Sequence, residues 1–120
     1  MINAPSPDRW ILEPKNVMQP FGLAAEGEAP LPMLDFRGHN GTSFALPYSQ
    51  LQAIAYDPTE GVSLEFREHK IRLHGRNLRP LYDHLLLHQV AFVQEEDFDA
   101  TPETDTFIDR IIVERVAEFG

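Results

Sequence analysis

Leu34-Asp35-Phe36-Arg37-Gly38-His39-Asn40-Gly41-Thr42-Ser43-Phe44-Ala45-Leu46 is the stretch whose reading sets the fold class. Leu34 and Phe36 alternate with Asp35 and Arg37, and Phe44 and Leu46 with Ser43 and Ala45; a period of two turns alternate side chains to opposite faces of a strand. Between the two runs, Gly38-His39-Asn40-Gly41 supplies residues that tolerate the positive φ of a tight hairpin turn. Pro47, with no N–H to donate, closes the second strand.

Downstream the same period persists. Leu51 to Tyr56 is apolar and strand-like, and Asp57-Pro58-Thr59-Glu60-Gly61 places Pro and Gly where a second turn uses them. Val62, Leu64 and Phe66 then oppose Ser63, Glu65 and Arg67; after a turn near Glu68-His69, Ile71 and Leu73 oppose Lys70, Arg72 and His74. Past Gly75 the spacing changes to three and four. Asn77 reads as an N-cap and Pro80 falls in the first turn, so the pattern predicts a helix over about 78–89, its stripe made by Leu78, Leu81, Tyr82, Leu85 and Leu86. Leu87 lies off that stripe, where an exposed leucine hints at a subunit contact.

Val90 to Val93 reads as a strand returning to the sheet, followed by an acidic connector of Glu95, Glu96, Asp97 and Asp99. Thr101-Pro102-Glu103 resembles a helix start, and Phe107, Ile108, Ile111, Ile112, Val116 and Phe119 recur at helical spacing, which favours a helix within 105–119. The β-branched run Ile111-Ile112-Val113 leaves a terminal strand as the alternative. At the other end, 1–32 carries prolines at 5, 7, 14, 20, 30 and 32, so it is expected to be an extended arm anchored by Trp10-Ile11-Leu12 and Phe21-Gly22-Leu23. The expectation is an α+β fold: a mainly antiparallel bent sheet or small open barrel of about five or six strands with one packed helix and a C-terminal helix. It comprises a single domain over 33–120. Its expected core is Leu34, Phe36, Phe44, Leu46, Ile54, Val62, Leu64, Phe66, Ile71, Leu73, Leu81, Leu85, Phe92 and Ile112.

Composition bounds the function classes. The chain has 120 residues, 42% of them hydrophobic and 24% charged, which suits one globular domain with a real core. No run approaches the roughly 20 apolar residues of a membrane span, and Met1 to Ser6 lacks the basic start of a signal peptide, so a soluble cytoplasmic protein is expected. With no cysteine, disulfides, thiolate metal sites and a cysteine nucleophile are excluded. A net charge of -9 repels phosphate backbones at long range and disfavours general nucleic-acid binding.

That charge is uneven. Arg67, Lys70, Arg72, Arg76 and Arg79 are half of the ten Lys+Arg, and they sit with His69 and His74 in one segment. Lys70, Arg72 and His74 share a strand face, and the segment runs through Arg76 and Asn77 into a helix N-terminus, where free N–H groups favour an anion. Lys70, Arg72, His74, Arg76, Asn77 and Arg79 are therefore the candidate anion-binding residues, with an ordinary solvated strand and cap as the plain alternative. His84 and His88, spaced i,i+4 beside Asp83, are the candidate metal ligands. Leu85 stands where a zinc-protease motif would carry its glutamate. Ser43, Ser49 and Ser63 lack a nucleophile-elbow setting, and no phosphate-binding glycine loop occurs.

These residues predict a non-catalytic interaction module that self-associates as a homo-oligomer, without a cofactor and without a membrane partner. A small-anion or metal-assisted ligand-binding protein is the first alternative. Nucleic-acid contact through the basic strand 67–79 is the second.

Overall fold

The computed structural model describes residues 19–97 and 103–116; Trp10-Ile11-Leu12, Asp99, Thr101-Pro102 and Phe119 lie outside them. Within the described residues the hairpin forms as its alternation demands. β2 (Met33–Arg37) and β3 (Ser43–Pro47) pair antiparallel, with Leu34 opposite Leu46 and Phe36 opposite Phe44. Gly38 N–H donates to the Thr42 carbonyl at 2.9 Å, Asn40 Oδ1 accepts from Thr42 N–H at 3.2 Å, and Gly41 takes the positive φ of 94°.

A 3-10 turn, Tyr48–Gln50, carries the chain into a second sheet. There β4 (Leu51–Asp57), β5 (Gly61–Phe66) and β6 (His69–Arg76) form an antiparallel meander. Asp57 Oδ1 accepts the N–H groups of Thr59 and Glu60 at 2.7 and 3.0 Å, closing the first of its turns. Gly61 ends that turn at φ 102°, where a side chain would also collide with the Leu73 carbonyl, so glycine is required twice over.

Helix α1 (Arg79–Leu86) is shorter than the expected 78–89. Leu78, not Asn77, is its N-cap and makes no side-chain cap bond; Asn77 instead adopts φ 54°. At the other end Leu87 caps the helix and His88 turns to φ 56°, which breaks the repeat one residue after the cap. Leu78, Leu81 and Leu85 are buried, Tyr82 is partly so, and Leu86 and Leu87 are 50% and 61% exposed.

Among the described residues, three further strands complete the sheets. β7 (Val90–Gln94) pairs parallel with β2 and antiparallel with β1 (Phe21–Leu23), the latter drawn from the stretch expected to be an arm. β8 (Phe107–Arg115) pairs antiparallel with β6 along its whole length. The expected C-terminal helix is thus a strand. Helical spacing is outweighed because the β-branched run lies opposite Ile71 to Leu73 and supplies the hydrogen-bond partner that β6 otherwise lacks. A bulge opposite His74/Gly75 leaves Asp109 over and turns Ile108 onto the core-facing side, while Phe107 on the other face is covered by Arg76, so that two adjacent residues are both buried and mimic a helical pair.

Among the described residues the fold is α+β: two open four-stranded sheets, ordered β1-β7-β2-β3 and β4-β5-β6-β8, with one α-helix. The expected barrel does not close, since the 3-10 turn after Pro47 separates β3 from β4 instead of pairing them. One apolar cluster spans both sheets, with Phe36 edge-on to Phe66 at 6.3 Å. It includes Tyr48, Leu78, Val90, Val93 and Ile108 beyond the expected core. Four expected members are less buried: Phe44 is 38% exposed at the sheet edge against the His69 ring, and Ile54, Phe92 and Ile112 are half-buried. Phe92 lies on the outer face, stacked under the Arg37 guanidinium at 3.9 Å. Among the described residues no helix is long and apolar enough to cross a membrane.

Candidate functional site

The basic segment becomes β6, and strand geometry sorts its residues. Ile71 and Leu73 point into the core while Lys70, Arg72 and His74 line the opposite, outer face. Their neighbours there follow from register: Glu65 and Glu114 flank Lys70, Ser63 and Ile112 flank Arg72, and Arg110 lies across from His74. Lys70 Nζ stands 3.9 Å from Glu65 Oε2. His74 Nδ1 is 3.0 Å from Asp109 Oδ1, the aspartate being the residue left over by the bulge.

Small side chains on β4 and β5 leave a depression beside the cations. It is a groove of about 270 Å³ lined by Ala55, Asp57, Gly61, Ser63, Lys70 and Arg72 among others. Its charge is mixed. The backbone N–H groups of Glu60 and Thr59 hold the Asp57 carboxyl below its ordinary pKa, so that wall stays anionic opposite Lys70 and Arg72.

The other three anion candidates go elsewhere. Arg76 lies beyond the bulge with its guanidinium 5.5 Å from the Phe107 ring centroid. Asn77 donates its side-chain amide to the carbonyls of Glu103 and Asp105 at 2.6 and 3.1 Å, while Thr106 Oγ1 donates back to the Asn77 carbonyl at 2.6 Å. It is a clamp between α1 and the 103–106 loop. Arg79 pairs with Asp83 one helical turn on at 3.0 Å, and its guanidinium lies 5.7 Å from both the Tyr56 and Tyr82 rings. Its hydrogen bond to Asp83 and the carboxylate's charge hold it above the usual arginine pKa. The structure therefore brings Lys70 and Arg72 together, with His74 next along the face, and separates Asn77 and Arg79 from them.

His84 and His88 do not share a helix face. His84 Nδ1 lies 2.8 Å from Gln89 Oε1, whereas His88 sits past the helix end with its ring stacked on Tyr48 at 4.3 Å. Asp83 is engaged with Arg79. Among the described residues no three His, Cys, Asp or Glu side chains stand close enough to hold a metal ion together.

Glu95 has a role that sequence patterning does not reveal. Its backbone N–H extends the β2–β7 pairing to the Arg37 carbonyl at 2.8 Å. Its carboxylate accepts from His39 N–H at 3.2 Å and from Ile111 N–H at 2.8 Å, tying the tip of the first hairpin to β8. The adjacent Glu96 N–H donates to the Ile108 carbonyl at 3.0 Å. The acidic connector thus runs along the outer edge of β8, and the His39 imidazole lies 3.7 Å from Asp97 at its far end. No spacing rule reports these contacts, because the partners of Glu95 are 56 and 16 residues away.

With the fold and these contacts established, comparison with protein-family models, with curated proteins and with solved structures finds no match to the chain.

Proposed function

We propose that the chain is a non-catalytic interaction module that self-associates. One observation carries the reading: β8 is a nine-residue strand at a sheet edge, and its Val113 is 44% exposed although it lies on the core-facing side, opposite the fully buried Ile71. Long edge strands with apolar side chains invite another strand. The residues with catalytic chemistry point the same way, since the His74–Asp109 pair lies open on a strand face and its neighbours there are Arg72 and Arg110. Size-exclusion chromatography with light scattering over a wide concentration range tests the proposal. A monomer–dimer equilibrium is expected, and a strict monomer at every concentration rejects it.

A second reading, a small-anion site, is supported by the groove in which Lys70 and Arg72 meet Ser63. Inorganic phosphate or a simple carboxylate would raise the melting temperature, and Arg72→Glu would abolish that rise. An unchanged melting temperature across such anions removes this reading.

A further inference from the structure

The self-association proposed above has a place and a register written into β8. Hydrogen-bond direction alternates along a strand. Ile111 N–H leaves the sheet for Glu95, and Val116 N–H turns inward to the Glu68 carbonyl. Ile111, Val113 and Arg115 therefore direct their backbone groups to the open edge, and the even-numbered residues direct theirs to β6. A second copy pairing antiparallel across a two-fold axis must place outward residues opposite outward residues, so the axis passes through a residue.

Charge selects which residue. Centred on Ile112, the pairing sets Arg110 against Glu114 on the outer face, Ile111 against Val113 on the core-facing side and Ile112 against itself. Arg110 and Glu114 then each meet an opposite charge, and the exposed Val113 is covered by Ile111 on the core-facing side. No neighbouring centre does this. Centres at Ile111 or Val113 put the charges opposite apolar residues, a centre at Arg110 opposes two arginines, and one at Glu114 opposes two glutamates.

The acidic connector competes for the same edge. Glu96 holds the Ile108 carbonyl, just beyond the paired stretch, whereas the Glu95 bond to Ile111 N–H lies inside it and must be given up. We infer that β8 pairs with β8 of a second copy about Ile112, and that Glu95 is a latch which that pairing displaces. The inference rests on the proposed self-association but makes separate demands.

Sedimentation equilibrium of the full chain and its variants tests it. Arg110→Glu and Glu114→Arg each set like charges across the axis and should weaken the dimer about tenfold; the double charge swap should restore it. Val113→Pro removes an N–H that only the partner uses, so it should abolish the dimer while circular dichroism stays that of the wild type. Glu95→Ala frees the Ile111 N–H in both copies and should tighten the dimer about tenfold. A wild-type chain that is always monomeric overturns both proposals. A dimer unmoved by Arg110→Glu and Val113→Pro, or not rescued by the double swap, overturns the β8 assignment alone.

Discussion

Among the described residues Tyr48 is the side chain that carries a hydroxyl deepest into the core: it is 3% exposed, stacks on His88 and donates its hydroxyl to the Val90 carbonyl at 2.7 Å. Burial raises its phenol well above the ordinary 10.0. Tyr48→Phe strands a buried carbonyl and should cost about 1–3 kcal/mol in urea denaturation. The pH dependence follows by linkage. Because the folded-state pKa is raised, the fold holds the proton that the unfolded chain gives up, so this stability is complete below pH 10.0 and falls as pH climbs above it. The wild type should therefore lose stability above that pH more steeply than Tyr48→Phe, and equal slopes in alkaline melts would refute the assignment.

At the scale of elements, the bulge in β8 opposite His74 and Gly75 decides how the last strand docks. Gly75 pairs with Ile108 there, and a side chain at 75 would run into the Phe107 carbonyl, a backbone group with no room to withdraw. Gly75→Ala is expected to destabilise the fold by about 1–3 kcal/mol, read as a lower denaturation midpoint. β2, β3, β5 and β6 were legible because each carries alternation and their turns are marked by Asn40-Gly41 and by Asp57 with Gly61; β4 was legible from its apolar run ahead of that second turn. β8 was not, for a physical reason. The bulge turns Ile108 to the core while Arg76 covers Phe107 on the other face, and two adjacent buried residues are a pattern that local spacing alone assigns to a helix. The candidate site was legible to the same extent: alternation placed Lys70, Arg72 and His74 on one face, but nothing local tells that Asn77 reaches across to residues 103 and 105 or that Glu95 reaches β8.

For the whole molecule, the net charge of -9 sets the terms of self-association. Two such chains repel at long range, while the two Arg110–Glu114 pairs would meet only at contact. Raising ionic strength from about 10 mM to about 150 mM shortens the screening length from roughly 30 Å to 8 Å and quiets the first effect far more than the second. The dimer should tighten over that range; a dimer that weakens steadily would mean that the contact itself is mainly electrostatic.

The parallel pairing of β2 beside β7 has a consequence for the order of assembly. β4, β5 and β6 are joined by tight turns and can zip up from neighbouring sequence alone, whereas β2 waits for a strand that lies more than fifty residues along the chain. During synthesis the early hairpin must spend time without its inner neighbour. Pulse-labelled amide exchange during refolding should find Val62 to Leu73 protected before Phe36 and Val93, the meander serving as the template onto which the first-made sheet is fastened late.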